Sequence, residues 1–297
     1  MRKAMTIKGL AAWVFFMIYA GAGDGNVKFE VQKEADHYRI QTKDWVLFSW
    51  ASRSRTLDVA EQIEVVRTNV ENILQVKIPL KTRLELRIFK DRESFLNFSK
   101  KDLGEVFYMG GYCSPERNEV VTYDHGSIQE LLTILSHELT HYFTLKIYKS
   151  LPLWVNEGFA DFVGFSRVRW GKIKGSEPSA AYLKGIRFAA DAQTLIPLRE
   201  LIQSSLYLQG HERDLQYAQF WGLVYFFLEG AKQKYRPAFL QYMSELRNHE
   251  QTSLEKFIKL EDIEMIWVEE LSRVKTTDLR KRPKSESMQF YQRDAGN

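Results

Sequence analysis

The sequence has too few cysteines to form an internal disulfide and no apolar run long enough to span a membrane. Its single cysteine, Cys113, excludes a disulfide within the chain; this count permits an oxidising compartment but does not support one. No repeat is visible. The longest uncharged stretch near the N-terminus, Gly9 to Gly23, is shorter than the roughly 20 residues that span a bilayer. With 44% hydrophobic and 27% charged residues, the composition is typical of a globular protein with a sizeable core.

The first 22 residues have the pattern of a secretory signal peptide. Three cations among the first eight residues precede the mostly apolar segment Leu10 to Tyr19, and Ala20 and Ala22 occupy the small-residue positions of a cleavage site. Residues 1–22 therefore predict export to the periplasm or the medium, with an uncleaved anchor as the alternative. Cleavage would remove those three cations and reduce the formal net charge from +4 to +1. A charge so small gives no reason to expect nucleic-acid binding.

Three regions are predicted after the signal peptide. Residues 27–150 mix strand and helix patterns, residues 151–275 read almost entirely as helix, and residues 276–297 are poor in apolar residues and predict a disordered tail. The fold class expected is α+β, with a small mixed sheet followed by a mainly helical subdomain. The predicted strands are 38–42, 45–50, 84–89, 107–113 and 119–123, and the predicted helices are 56–76, 93–99, 128–148, 154–165, 182–190, 198–204, 215–230, 236–248 and 262–274.

One predicted helix carries a metal-binding pattern. Ser127 and Glu130 fit a capping box that opens this helix, and within it lies His137-Glu138-Leu139-Thr140-His141. Residues four apart share a helix face, so both imidazoles can reach one metal ion. Zinc accepts such nitrogens, and a glutamate beside the first histidine is placed to take a proton from water without binding the metal. Glu138 is therefore the predicted catalytic acid and base. The alternative is a pair of structural histidines.

A third ligand is expected on the next predicted helix. Fifteen residues separate His141 from Glu157, enough to finish one helix, turn at Pro152 and begin a second helix packed against the first. Glu157 would complete a set of two histidines and one glutamate around a single Zn²⁺. Asp161, one helical turn further, is predicted to accept the free N–H of a ligating histidine. The alternative is a general preference for acids near a helix N-terminus.

Other ligand patterns are missing from the sequence. A metzincin would place a glycine and a third histidine after the motif, where this chain has Thr144 and Ile147. Cys113 is the only cysteine that could serve as a ligand, and it lacks the surroundings of a deformylase-type site. A small strand residue is the preferred interpretation of Cys113.

The two motifs resemble those of known metallopeptidases. His-Glu-x-x-His followed by Asn-Glu-Gly-x-x-Asp is similar to the gluzincin group, and Leu151-Pro152-Leu153-Trp154-Val155-Asn156-Glu157-Gly158 resembles the corresponding segment of the peptidase MA-like family. The similarity extends from about residue 55 to 274, but outside these motifs it is one of pattern alone. The resemblance implies a zincin-like fold and zinc-dependent peptide hydrolysis. Nothing here resembles the exopeptidase signature of aminopeptidases, so it does not imply that activity.

The resemblance also points to Tyr217. The peptidase MA-like family tends to carry a tyrosine at the start of a later apolar helix, and Tyr217 matches that place. A phenol there would donate to the oxyanion that forms as water attacks a carbonyl. A core-filling tyrosine is the alternative.

The sequence thus predicts an exported zinc metallohydrolase, and among these a peptidase acting on peptides or proteins. The first alternative is a zinc-binding envelope protein without peptidase activity. The second is a binding module that holds glycan or peptide with exposed aromatic residues such as Trp50 or Trp170.

Overall fold

Alternating apolar side chains build a mixed β-sheet in the first half of the chain. The computed structural model describes residues 16–19, 28–104, 110–169, 172–176 and 179–274. The strands of the sheet are β1 (Phe16–Tyr19), β2 (Lys28–Lys33), β3 (Tyr38–Gln41), β4 (Trp45–Ser49), β5 (Leu84–Phe89), β6 (Gly111–Ser114) and β7 (Glu119–Tyr123). Their order is β1-β2-β3-β4-β5-β7-β6, with the β4–β5 and β5–β7 pairs parallel and the others antiparallel.

The two faces of the sheet pack against different helices. The helices of the described residues are α1 (Arg53–Leu74), α2 (Arg92–Leu103), α3 (Ile128–Ile147), α4 (Leu153–Gly164), α5 (Ala180–Asp191), α6 (Leu198–Gln203), α7 (Gly210–Leu228), α8 (Arg236–Leu246) and α9 (Ile266–Arg273). On one face, Leu86 and Ile88 join the main core formed with α1 and α3. On the other face, Val121 and Tyr123 form a smaller core with Phe95 of α2. Strand β7 is therefore buried on both sides, which suits its unbroken run of buried residues.

A side-chain cap marks the start of α3, and a proline marks the start of α4. The Ser127 hydroxyl accepts a hydrogen bond from the Glu130 N–H at the start of α3, as the capping-box pattern predicts. Pro152 immediately precedes α4, where its lack of an N–H leaves no helical hydrogen bond unmade. The turn between α3 and α4 is therefore short, and the two helices pack against each other.

Helix α4 is the centre of the second half of the molecule. It lies between α3 and α7, and ten of its residues are buried, as expected of a helix that is apolar on nearly every side. One continuous hydrophobic core includes residues of the sheet, of α1 and α3, and of the helices after residue 150. Helices α3 and α4, which carry the two sequence motifs, therefore pack within this core, and the close packing holds them in a fixed position relative to each other.

The fold class is confirmed as a mixture of helix and sheet, and the elements differ from the prediction in several places. The sheet is larger than expected, because two segments add strands that were not predicted. Strand β2 has lysines at both ends, and strand β1 lies within the predicted signal peptide. The chain after residue 150 is not wholly helical, since β8 (Ser166–Arg169) and β9 (Lys172–Ser176) form an antiparallel hairpin. The last predicted helix begins later, at Ile266, after a short 3₁₀ turn at Leu260–Asp262.

The predicted terminal segments fall mostly outside the described residues. Of the predicted signal peptide, residues 1–22, only Phe16–Tyr19 is described, as the edge strand β1, and the predicted tail, residues 276–297, is not described. Export stays a prediction. None of the helices in the described part of the chain has the length and hydrophobicity needed to cross a bilayer.

Candidate metal centre

Helix α3 brings His137 and His141 together on one face. Their rings lie 4.6 Å apart between centroids at 83°, and their Nε2 atoms are 2.9 Å apart. This is the geometry expected of residues four apart on a helix whose side chains are aimed at one point. Glu138 follows His137 and is buried, with 8% of its surface exposed. A buried carboxylate therefore lies beside the two converging imidazoles.

Helix α4 supplies the third potential ligand. Glu157 Oε2 lies 3.6 Å from His137 Nε2 and 3.6 Å from His141 Nε2. Within the described residues, His137, His141 and Glu157 are the one group of histidine, cysteine or acidic side chains whose ligand atoms, all within 4.8 Å of one another, could hold a metal ion. The three predicted ligands, which lie in two separate motifs of the sequence, are thus close together in space.

Two glycines allow α4 to approach its neighbours closely enough to place Glu157. A Cβ added to Gly158 would lie 2.4 Å from the carbonyl oxygen of Phe220 on α7. A Cβ added to Gly164 would lie 3.2 Å from the Thr133 carbonyl oxygen and 3.6 Å from His137 Cβ on α3. The position of Glu157 between α3 and α7 therefore depends on two residues of α4 that have no side chain.

Both imidazoles are held from behind through their Nδ1 atoms. His137 Nδ1 is 2.8 Å from Asp161 Oδ1, and His141 Nδ1 is 3.2 Å from Asn156 Oδ1. Tyr182 Oη in turn donates to Asp161 Oδ2 at 2.9 Å. Because both acceptors face Nδ1, we assign the ring proton of each neutral imidazole to Nδ1, which leaves the Nε2 lone pairs directed at the common point.

The carboxylate of Glu157 has one oxygen on the histidine side and one turned away. Its Oε1 accepts hydrogen bonds from Tyr207 Oη at 2.8 Å and from Asn156 Nδ2 at 3.0 Å. The ring of Tyr217 stacks on that of Tyr207, with centroids 5.9 Å apart. Burial, followed by the charge of Glu157, raises the pKa of Tyr207, so its phenol remains a donor at neutral pH.

The acidic groups around the imidazoles favour a positive charge at this point. Burial opposes protonation of His137, but the hydrogen bond and charge of Asp161, assisted by Glu138 and Glu157, raise its pKa to about 9. Burial likewise opposes ionisation of Glu157, but its interaction with His141 and the charges of both imidazoles lower its pKa to about 2. The cluster therefore stabilises a cation.

Glu138 responds differently from Glu157. Burial raises its pKa above the ordinary value, the two imidazoles oppose this change, and the neighbouring carboxylates add to it. A carboxyl group with a raised pKa is a stronger base when ionised and holds a proton more readily once it has taken one. This is the behaviour required of a group that accepts and then returns a proton.

The donor set fits a small divalent metal ion with nitrogen and oxygen ligands. Tetrahedral zinc with bonds of about 2.0–2.1 Å holds its ligand atoms about 3.3 Å apart. The three ligand atoms here are 2.9, 3.6 and 3.6 Å apart, so small side-chain adjustments would suit such an ion. Two imidazoles and one carboxylate provide three ligands, which leaves one tetrahedral position for water or substrate.

The predicted residues do not all converge. His137, Glu138, His141, Glu157 and Asp161 are brought together, whereas the contact shown for Tyr217 at this site is its stacking on Tyr207. Cys113 lies on β6 outside the group of three, and burial raises the pKa of its thiol.

Three contributing residues were not predicted: Asn156, Tyr182 and Tyr207. Asn156 had a signal in the sequence, because it precedes Glu157 on the same helix turn. Tyr207 and Tyr182 lie 50 and 21 residues from the side chains they contact, and no local pattern marks them.

The aromatic residues considered for a binding module give that interpretation no added support. The Trp50 indole N–H donates to Asp36 Oδ2 at 3.0 Å, and its ring stacks on Phe89 with centroids 5.1 Å apart. Trp50 is thus engaged by its own chain on its N–H and one face, while Trp170 lies outside the described residues.

No protein-family model matches this chain, and comparison with curated proteins gives no match. The functional interpretation therefore depends on the geometry of the site itself.

Proposed function

We propose that the protein is an exported zinc-dependent peptidase of the gluzincin type, with a zincin-like fold, similar to the peptidase MA-like family. The observation that carries the proposal is the convergence of His137 Nε2, His141 Nε2 and Glu157 Oε2 from two packed helices, with buried Glu138 beside them. Three ligands and one free position are typical of catalytic zinc, whereas structural zinc is normally closed by four protein ligands.

His137, His141 and Glu157 would hold the ion, and other residues of the chain would orient these ligands. A bound zinc ion supplies a Lewis acid that polarises a carbonyl group and makes water more acidic. Asp161 and Asn156 fix the imidazole rings through their Nδ1 atoms. With the rings fixed, the ligand set is organised before substrate binds.

Glu138 carries the proton in the proposed reaction. Its carboxylate takes a proton from the attacking water as the oxygen adds to the peptide carbonyl carbon. It then gives that proton to the amide nitrogen as the C–N bond breaks, so that water and a peptide yield a carboxylic acid and an amine. Burial raises the pKa of Glu138, which favours the first transfer because it makes the carboxylate a stronger base.

The role proposed for Tyr217 is to donate a hydrogen bond to the carbonyl oxygen as negative charge develops on it. Tyr217 lies near the first third of α7 and stacks on Tyr207, which itself contacts Glu157. Tyr217 is therefore connected to the ligands through Tyr207.

The test separates metal binding from turnover. We expect the purified wild-type chain to contain about one zinc ion and to cleave an unfolded protein substrate. Glu138→Gln should keep the metal and lose at least about 100-fold in rate, the scale of a general base. His141→Ala should lose both metal and activity. Glu212→Gln, at an exposed position early in α7, is the control and should behave as wild type.

Two results would count against the proposal in different ways. Full activity in Glu138→Gln would remove the proposed catalytic role. Stoichiometric zinc with no cleavage of any peptide or protein would favour the alternative, a zinc-binding envelope protein without peptidase activity.

A further inference from the structure

The two oxygens of Glu157 have different surroundings. Oε2 faces both histidine Nε2 atoms, whereas Oε1 accepts the two hydrogen bonds from Tyr207 and Asn156. Glu157 is buried, with 4% of its surface exposed. Protein groups therefore distinguish the two oxygens.

Tyr207 is held in place by a buried glutamine. Tyr207 lies in the connection between α6 and α7, defined here as loop 204–209. Gln216, which is 1% exposed, accepts a hydrogen bond from the Leu208 N–H at 3.0 Å and donates to Ser204 Oγ at 3.0 Å and to the Leu206 carbonyl oxygen at 3.1 Å. These three hydrogen bonds hold the loop on both sides of Tyr207. Because the loop is already ordered, the hydrogen bond from the Tyr207 hydroxyl to Glu157 costs little additional conformational entropy.

We propose that Tyr207 is a positioning residue that keeps Glu157 a one-oxygen ligand and thereby preserves the open coordination position of the bound metal. The proposal rests on the metal site of the proposed function. A carboxylate with both oxygens free can bind a metal through both, which would fill the position that water needs. A hydrogen bond to Oε1 stabilises charge on that oxygen and turns its lone pairs away from the ion.

The other donor to Oε1 does not replace Tyr207. Asn156 donates to Oε1 through Nδ2, while its Oδ1 faces His141 Nδ1 at 3.2 Å, so its amide is already committed at both ends. Tyr207→Phe removes only the hydroxyl and keeps a ring to stack on Tyr217.

Cobalt is the probe, because Co²⁺ reports coordination number through its visible absorption, which is stronger in four-coordinate than in five- or six-coordinate sites. The metal-stripped full chain is titrated with Co²⁺, and affinity is measured by competition with a chelator. For Tyr207→Phe we expect a 10- to 100-fold weaker affinity, the usual effect of losing a hydrogen bond to a ligand, and a clear fall in absorption per bound Co²⁺.

Tyr182→Phe is the matched control. It removes the same kind of bond, from a phenol to a carboxylate at 2.9 Å, but the carboxylate is Asp161, which contacts His137 and is not a predicted ligand. This variant should weaken affinity without lowering the absorption per bound Co²⁺. Tyr207 is 46% exposed, so we expect Tyr207→Phe to keep the packing of the core. Circular dichroism of the variant checks that the fold is retained.

The outcomes separate this inference from the proposed function. If the wild-type chain binds Co²⁺ and Tyr207→Phe has the same affinity and spectrum, the inference is wrong and the metal site stands. An equal loss of absorption in Tyr182→Phe would also overturn it, because the effect would not be specific to Glu157. If the wild-type chain binds no Co²⁺, the proposed function and this inference fail together.

Discussion

At the scale of single residues, His125 illustrates how burial lowers the pKa of a histidine. Its side chain is 3% exposed, packs against Tyr123 with ring centroids 3.8 Å apart and planes tilted by 32°, and has Nε2 3.1 Å from the Gly110 carbonyl oxygen. Burial lowers its pKa to about 4, against a weaker opposing effect of the hydrogen bond to Gly110. The folded protein therefore holds His125 neutral over a range in which the unfolded chain would protonate it.

This difference predicts a loss of stability in mild acid. An unfolded histidine has a pKa of about 6.5, so between pH 6.5 and 4 the unfolded state binds more protons than the folded state at this position. The contribution of His125 is fully present above pH 6.5 and decreases as the pH falls, by up to about 3 kcal/mol at pH 4. Urea unfolding of the wild type and of His125→Gln at several pH values should give curves that diverge over this window.

Parallel curves for the two proteins would contradict the prediction. An independent measurement does not depend on the variant: the imidazole signal of His125 in the folded wild type, followed by NMR, should show no titration step near pH 6.5.

At the scale of elements, the sequence predicted those parts of the site that local chemistry specifies. The bounds of α3 follow from the Ser127 cap and the proline after the helix, and α4 follows from its apolar run after Pro152. The hairpin β8–β9 and the strand β2 were missed, because short strands are stabilised by pairing with distant segments rather than by their own pattern.

The same limit applies to the contacts of the site. The spacing of His137, His141 and Glu157 is local enough to predict their convergence, since two adjacent helices carry them. Tyr207 reaches Glu157 through a loop whose position is set by Gln216, and this depends on how α6 and α7 pack. Side chains brought in by tertiary packing have no fixed spacing in the sequence from which to predict them.

The close contact between α4 and α7 predicts that substitution of Gly158 lowers both stability and metal affinity. In Gly158→Ala the new Cβ would meet the Phe220 backbone at 2.4 Å, so α4 must move away from α7 and carry Glu157 with it. We expect a destabilisation of about 1–3 kcal/mol, the usual effect of overpacking, and weaker metal binding. Urea unfolding and chelator competition measure the two effects.

Gly185→Ala provides the control for this prediction. Gly185 also lies within a helix, α5, but nothing comes within 4 Å of an added Cβ. This variant should be neutral or more stable by up to about 1 kcal/mol, because alanine is the better helix former. Equal effects of the two substitutions would show that the contact with α7 does not control the site.

At the scale of the whole molecule, the ligand set joins the two predicted halves of the chain. His137 and His141 precede residue 150 and Glu157 follows it, and the core around them is continuous. A metal ion that binds these three side chains binds the folded state only, because unfolding separates α3 from α4. Its binding free energy therefore adds to the stability of both halves at once.

Metal removal should accordingly lower the unfolding temperature of the entire chain in one transition. With free zinc at about 1,000 times its Kd, binding contributes about 4 kcal/mol, and at about 2–4 °C per kcal/mol for a protein of this size chelation should lower Tm by roughly 10 °C. Calorimetry of the zinc-loaded and chelated forms measures this shift. The Tm of His141→Ala, which lacks one ligand, should be almost the same with and without chelator. If the Tm of the wild type is also the same with and without zinc, these two helices do not share a metal ion.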